Sequence, residues 1–302
     1  MNTTKKNKIL DLLFGRSPLD VRGISECTGF SISVTKELLK SMYDDNILDR
    51  SRRKYKYIYK LKDNKININA IKDDNNFNIV TMSDWHVPFE DKNAIKIAMD
   101  AIQKIQPNII IIHEIHDFYT LSRFDKNPAR KDDLQNEIDG VQRYFDDIHN
   151  ICPDTRLILL DSNHLDRLRR YLWGTATALQ SLRSLQIPEL LDLKLHNIEY
   201  MEDFIYNGVL FKHGEIVCQG SGATALRELQ KENMNGVSGH THRQAIVYRR
   251  DHNSNLFWME SGCLCTLRPE YIKGLPNWQS GISVVTWNEN KNPIPRLIKG
   301  EN

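Results

Sequence analysis

Five short clusters of ligand-type residues occur in order along the last three-quarters of this 302-residue chain. They are Asp84-Trp85-His86, His113-Glu114-Ile115-His116-Asp117, Asn163-His164, His213-Gly214 and Gly239-His240-Thr241-His242. Carboxylates, an amide and imidazoles are the donors that borderline-hard divalent cations take. Two such ions about 3.5 Å apart lower the pKa of a shared water and clamp phosphate oxygens for in-line displacement. A carboxylate between them offsets their mutual repulsion, while neutral imidazoles and an amide leave positive charge for an anionic substrate. An isolated Asp-x-His or Gly-His-Thr-His is common by chance, so the weight lies in the order. On a strand, His240 and His242 would point to one side, which suits two adjacent metals.

The elements that must position these clusters are legible as apolar runs. Asn78–Met82, Asn108–Ile112 and Arg156–Leu160 read as strands, the second aliphatic throughout and so buried on both faces. Between them, Lys92–Ile105 and Asp132–Ile151 carry apolar residues at helical spacing: Ile95, Ala98, Ala101, Ile102 and Ile105 in the first, Leu134, Ile138, Val141, Phe145 and Ile148 in the second. Farther on, Val209–Lys212, Gly236–Gly239, Ala245–Tyr248, Leu256–Met259 and Ile282–Trp287 read as strands with few long helices between them. The expected architecture is α/β, two packed sheets with helices outside.

Residues 1–61 read as a separate small unit and 62–77, rich in Asn, Asp and Lys, as a linker to a domain spanning 78–302. Lys8–Phe14, Leu19–Thr28 and a segment from Ser31 to about Asp45 have helical patterns, and Asp49–Leu61 ends in the period-two alternation of a strand. Three helices followed by a basic hairpin resemble a winged helix-turn-helix. In that resemblance the third helix presents Ser31, Ser33, Thr35, Lys36 and Lys40 to a nucleic-acid groove, and a wing with Arg52, Arg53, Lys54 and Lys56 meets phosphates. The other use of such a unit is protein contact or dimerisation, with the charges solvated.

Charge distribution follows the same division. The whole chain is nearly neutral at +2, yet residues 1–60 hold 13 Lys and Arg against 7 Asp and Glu. Basic character is therefore confined to the N-terminal fifth. No secretory pattern follows Met1, and no apolar run reaches membrane length, so neither secretion nor membrane partnership is expected. Five scattered cysteines argue for a reducing cytoplasm, and Cys263-Leu264-Cys265 reads as buried packing.

The ordered series Asp-x-His, carboxylate-x-x-Asp, Asn-His, His and Gly-His-x-His resembles the calcineurin-like metallophosphoesterase superfamily over about residues 78–287. The stretches Asp117–Phe124, Asp166–Leu172 and Pro276–Gln279 resemble a branch of it common in bacteriophages and prophages. The resemblance implies a two-sheet metallophosphoesterase sandwich and hydrolysis of phosphate esters by a metal-bridged hydroxide. Asp84, His86 and His242 would hold one metal, Asn163, His213 and His240 the other, and Glu114 would stand where a bridging Asp is found. Manganese is the metal the resemblance favours, with zinc or iron as alternatives. His164 would stand beside the leaving group as general acid or electrostatic stabiliser.

Four positions depart from the family pattern. His113 and Ser162 replace glycines, Glu114 replaces the bridging Asp, and Leu165 replaces the acid after the histidine. On this reading Leu165 removes a carboxylate that would orient His164, and neither Asp161 nor Asp166 need replace it. Arg123, Arg167, Arg169 and Arg170 follow metal-binding loops, and one or two, Arg123, Arg167 and Arg170 foremost, could steady a phosphate; otherwise they are ion-pairing helix residues. His116 would line the pocket, whereas His149, His196 and His252 would be solvated. With the basic N-terminal unit, a nucleic-acid substrate, cut internally or trimmed at an end phosphate, is the most economical function. A phosphomonoesterase acting on phosphoproteins or nucleotides, and a DNA-binding protein with a degenerate phosphoesterase domain, remain open.

Overall fold

The apolar runs preceding the ligand clusters form strands, and parallel pairing brings their C-terminal ends together. In the computed structural model, which describes residues 2–13, 19–44, 48–53, 56–61, 76–131, 133–250, 252, 254–272, 274–288 and 292–300, the chain divides into two units, Met1–Asn75 and Asn76–Asn302.

The smaller unit contains α1 (Asn2–Leu13), β1 (Leu19–Asp20), α2 (Val21–Thr28), α3 (Ile32–Asp44), β2 (Leu48–Arg53) and β3 (Lys56–Leu61). Its antiparallel sheet has the order β1-β3-β2. Ile9, Leu13, Ile24, Leu38, Leu39, Met42 and Leu48 form its core. The second helix starts later than its pattern suggests because Leu19 and Asp20 pair with β3, and Asp20 then caps the helix by accepting the Gly23 amide at 2.9 Å. Gly29, at φ 73°, ends it as expected. On α3, Ser33, Lys36 and Lys40 are exposed. Thr35 is instead buried, because it lies three, four and seven residues before Leu38, Leu39 and Met42 on the core face. Lys54 and most of the expected linker lie outside the described residues.

The larger unit begins with β4 (Phe77–Ser83), α4 (Lys92–Ile105), β5 (Ile109–His113), α5 (Leu134–Ile151) and β6 (Arg156–Leu160). It continues with α6 (Leu165–Gly174), α7 (Ile187–Leu190), β7 (Ile198–Met201), β8 (Asp203–Tyr206), β9 (Val209–Lys212) and α8 (Ala223–Glu232). The final strands are β10 (Asn235–Ser238), β11 (Gln244–Arg250), β12 (Asn255–Ser261), β13 (Gly281–Trp287) and β14 (Pro293–Lys299). One sheet has the order β14-β13-β4-β5-β6-β7, the other β11-β12-β10-β9-β8. Strands β4 to β7 are parallel, as are β9, β10 and β12.

Alternation along β4 to β6 separates two buried layers. Val80, Met82, Ile110, Ile112, Leu157 and Leu159 join the cluster formed with helices α4 to α6. The intervening residues face the second sheet, where the Ser261 hydroxyl donates to the Thr81 carbonyl at 3.4 Å and Phe77 stacks on Tyr206 at 4.6 Å. Helix α8 covers the far face of the second sheet through Ala225 and Leu229 against Leu210 and Trp258. The mixed α/β arrangement, two sheets with flanking helices, agrees with the expectation from sequence.

Several elements escaped the periodicity argument for physical reasons. Helix α6 has only Leu165, Leu168 and Leu172 buried in a run otherwise dominated by charge. Strand β14 carries Pro293 and Pro295, tolerable because it is an edge strand. Strand β10, by contrast, was expected at Gly236–Gly239, and it is short but fixed by a close fit. Gly236 pairs with Trp258, and a Cβ on Gly236 would come within 2.3 Å of that fully buried indole. Gly236→Ala should therefore cost about 1–3 kcal/mol by overpacking, read as a lower midpoint in urea unfolding; an unchanged midpoint would refute this account of β10.

Candidate metal centre

Five strand ends supply the centre. Ser83 ends β4 just before Asp84, His113 ends β5 before Glu114, and Leu160 ends β6 before Asn163. From the second sheet, Lys212 ends β9 before His213, and Ser238 ends β10 before His240. Just beyond those ends the backbone turns sharply. Asp84, His86, Glu114, His240 and His242 all adopt left-handed conformations, at φ 53°, 52°, 48°, 68° and 57°. Such conformations are uncommon for side-chain-bearing residues and collect at functional sites. His240 and His242 therefore sit in a turn rather than on a strand, because β10 has already ended and Thr241 N–H closes onto the Gly239 carbonyl at 2.8 Å. Gly239 is required there: a Cβ would lie 2.7 Å from Asp84 Oδ2.

Glu114 lies at the middle of the donor set. Its Oε1 is 3.1 Å from His86 Nε2, and its Oε2 is 3.3 Å from His213 Nε2. The His164 amide donates to Oε2 at 3.2 Å. On one side, ligand atoms of Asp84, His86, Glu114 and His242 all lie within 4.8 Å of one another. His242 Nε2 is 2.9 Å from His86 Nε2 and 3.4 Å from Asp84 Oδ1. On the other side, His213 Nε2 is 2.7 Å from Asn163 Oδ1, and the His240 ring meets His213 edge-on at 5.0 Å. His86 and His213 thus face the two oxygens of Glu114, with Asp84 and His242 beside the first and Asn163 and His240 beside the second.

The donors fit a divalent cation. Two imidazole nitrogens facing each other at 2.9 Å, flanked by buried carboxylates, are better satisfied by a shared cation than by each other. Outer contacts are also those of ligands: His86 presents Nε2 inward while its Nδ1 is 3.1 Å from Asp117 Oδ2. His242 has Nδ1 3.7 Å from Cys265 Sγ, in a loop where both Cys263 and Cys265 are buried.

Electrostatics divides the two carboxylates. Burial alone would raise Asp84, but His242, His213 and His86 outweigh it and hold its carboxyl below the ordinary range. Burial, and then the charges of Asp84 and Asp117, push Glu114 well above that range. Burial lowers His86 and His213, whereas the adjacent Asp84 outweighs burial at His242 and raises it.

Beside this set, Asp117 takes the orienting role that Leu165 seemed to remove. Its Oδ2 is 3.3 Å from His164 Nδ1, while Leu165 turns into the helical core. Arg167 binds the Asp117 carbonyl and Oδ1, both at 2.7 Å, and its Nη2 is 2.8 Å from His164 Nε2. Arg169 and Arg170 are held by Asp161 and Asp166, as the ion-pair alternative requires, and Arg123 is exposed. His116 does not line the pocket. It is fully buried, stacked on Phe118 at 4.7 Å, with Nδ1 3.4 Å from Glu137. His196 is also buried, because its loop folds onto α5, where its Nδ1 is 3.1 Å from Asp146 and its carbonyl meets His149 Nε2. His252 is exposed as expected.

Sequence reasoning missed Glu260. Fully buried on β12, it accepts the Thr241 hydroxyl at 2.6 Å and the Gly222 amide at 2.9 Å, fixing the turn that carries His240 and His242. Nothing near Glu260 in sequence marks it. Asp117, by contrast, lies inside a recognised cluster and was within reach. A cavity of about 620 Å³ opens from Asn163, His213 and His240 across Arg170, Lys212 and Glu202.

No family model matches the chain. The Gene 54 protein of Mycobacterium phage L5 is 29% identical over 225 residues, covering 69% of this chain and 88% of that protein. The Gene 54 protein of Mycobacterium phage D29 is 28% identical over 229 residues, covering 70% and 89%. Both are phage proteins, in line with the resemblance of the three flanking stretches. Among solved structures, Vps29 of Chaetomium thermophilum superposes with a TM-score of 0.34 at 9% identity, over 74% of this chain and all of that one. A Vps29 mutant from Entamoeba histolytica gives 0.35 at the same identity and coverage. Superpositions of that quality carry no argument about fold or function.

Glu114 and His242, both raised, must lose their protons before they can ligate a cation. Mn²⁺ binding should therefore release protons and tighten as pH rises above the ordinary carboxylate and imidazole ranges. Calorimetry in buffers of different ionisation enthalpy reads the proton release directly; pH-independent binding without it would contradict this arrangement.

Proposed function

We propose that the larger unit is a metal-dependent phosphoesterase of the calcineurin-like metallophosphoesterase superfamily and that its substrate is nucleic acid. The observation that carries this reading is Glu114, whose two oxygens face His86 on one side and His213 on the other at 3.1 and 3.3 Å. Asp84, His86 and His242 would hold one divalent cation and Asn163, His213 and His240 the other, with Glu114 shared and manganese ahead of zinc or iron. When bound, the cations supply an activated water and positive charge against phosphate oxygens. The chain's own residues do the rest. Asp117 fixes the ring of His86, and the His240 amide, 3.1 Å from both oxygens of Asp84, holds that carboxylate in place. The cavity beside Asn163, His213 and His240 would take the body of the substrate.

Support for nucleic acid comes from the smaller unit. Its order of helices and strands matches a winged helix, and Ser33, Lys36 and Lys40 share the exposed side of α3. Strands β2 and β3 carry Arg52, Arg53 and Lys56. The similarity to mycobacteriophage proteins supports action inside an infected bacterial cell.

With Mn²⁺ the full chain should cleave a labelled oligonucleotide and bis-p-nitrophenyl phosphate faster than p-nitrophenyl phosphate. Asp84→Asn should lower turnover by about 100-fold or more. Preference for the monoester would favour a phosphomonoesterase, and inactivity of metal-loaded protein on all three would leave a DNA-binding protein with a relic domain. Separately, replacing Arg52, Arg53 and Lys54 together by Ala should reduce the salt slope of DNA binding by about 2–3. An unchanged slope would move the smaller unit to protein contact.

A further inference from the structure

A second, smaller crevice of about 140 Å³ shares Arg169 with the cavity beside the metal centre. Leu172 and Ile187, both buried, close its inner side and belong to the helical core. Trp173, 60% exposed, stands at its outer side with the exposed amide side chains of Gln180 and Gln186. Tyr200 lines it too, its hydroxyl shielded from water beside Asp161 and Arg169 and making no well-formed hydrogen bond. An exposed indole by itself is ordinary on a protein surface. This one borders an apolar crevice that adjoins the metal centre's own cavity.

Arg169, the wall common to both cavities, is fixed. Its Nε donates to Asp166 Oδ1 at 2.9 Å, and Nη1 and Nη2 both donate to Asp161 Oδ2 at 2.8 Å. With its charge matched by two carboxylates, the guanidinium acts as a spacer rather than a phosphate clamp. Trp173 lies one turn beyond Arg169 on the same side of α6. That helix opens at Leu165, directly after Asn163 and His164, and Leu165 to Trp173 spans about 12 Å of helix. A ligand occupying both cavities therefore carries phosphate at one end and a flat ring with hydrogen-bonding edges at the other. Nucleobases are such rings, and aromatic side chains stack on them with little regard to sequence. A base paired in a duplex stays in its stack, whereas one in a single strand can be splayed into a side crevice.

Resting on the phosphoesterase reading, we infer that this crevice is a base subsite in which Trp173 stacks one unpaired base of a single-stranded substrate. Stacked nucleotides rise about 3.4 Å each, so that base lies about two to four nucleotides from the scissile phosphate. The subsite contributes binding and sets where the strand lies across the centre.

The test uses Mn²⁺-loaded full chain and a single-stranded oligonucleotide with one cleavable phosphodiester among nuclease-resistant linkages. A single abasic nucleotide, which keeps every phosphate, is moved along the strand. KM should rise about 10-fold when it falls about two to four nucleotides from the cleaved bond on one side, and little at more distant positions. Trp173→Ala should abolish that penalty, and Trp173→Phe, which keeps a ring, should retain most of it. A penalty unchanged in Trp173→Ala, or absent at every position in an active wild type, would overturn the subsite and leave the phosphoesterase reading intact. Metal-loaded wild type that cleaves no ester would defeat that reading, and binding then decides the subsite separately. In calorimetry a thymidine tetranucleotide should bind wild type about 10-fold more tightly than its abasic counterpart and lose that margin in Trp173→Ala. Equal affinities of wild type for the two would overturn the subsite in that case as well.

Discussion

Two carboxylates enclosed among imidazoles, out of reach of water, are the constraint on which the rest of the larger unit depends. Asp84 is fully buried and Glu114 is 1% exposed. A buried ion costs several kcal/mol unless it is paired and hydrogen-bonded. The chain compensates each carboxylate only in part, with the His240 amide on Asp84 and the His164 amide on Glu114. Their opposite pKa displacements express the shortfall. Asp84, held down by His242, His213 and His86, stays ionised, whereas burial and then the charges of Asp84 and Asp117 drive Glu114 toward its protonated form. A bound cation inverts that balance, because it becomes the largest local charge. The site is thus arranged around a charge that its own side chains do not provide.

Holding those groups together requires a backbone that bends at five places. Left-handed residues at Asp84, His86, Glu114, His240 and His242 cost of order 1–3 kcal/mol each where the local geometry is strained. They persist because hydrogen bonds between strand extensions over-determine them. Asp84 N–H bonds the His113 carbonyl at 2.9 Å, Trp85 N–H the Glu114 carbonyl at 3.0 Å, and Gly239 N–H the His213 carbonyl at 3.0 Å. These bonds continue the sheet pairing past the formal strand ends, so the two sheets support the loops as well as the core. Glu260 adds support from beneath, where its carboxylate fastens the Gly239–His242 turn to the start of α8. Sheet pairing and ligand placement are therefore one problem for this chain.

That coupling explains what the sequence disclosed. Helices α4 and α5 and strands β5 and β6 were legible because their apolar periodicity reflects burial against one continuous core. The ligand clusters were legible because the residues are chemically distinctive and follow those strands. Less legible was anything set by a partner distant in sequence. Asp117 facing His164 replaces the carboxylate that Leu165 seemed to remove, and only the approach of β5 and β6 makes that contact. His196 looked solvated from its polar neighbours, yet it packs on Phe145 at 5.4 Å and pairs with Asp146. Glu260 looked like one charge in an apolar strand, and its role depends on a turn that precedes it by about 20 residues.

The distribution of fixed cations bears on how a phosphate would be recognised. Arg169 and Arg170 are tied to Asp161 and Asp166, and Lys212 lies between Glu228 and Glu232 at 2.8 and 2.7 Å. The cavity they line carries Glu202 and Asp203 as well, so it is of mixed sign and offers little general attraction for an anion. On the proposed function, grip on the scissile phosphate must then come chiefly from the bound cations. Substrate affinity and the supply of nucleophile would depend on the same occupancy, so the metal-free protein would neither bind nor turn over its ester at this site. On the same proposal, the basic surplus of residues 1–60 would supply a separate attraction, one that does not depend on metal and weakens with salt. Nucleic acid could in that case be held by the chain before the centre is loaded, with hydrolysis gated by the metal alone.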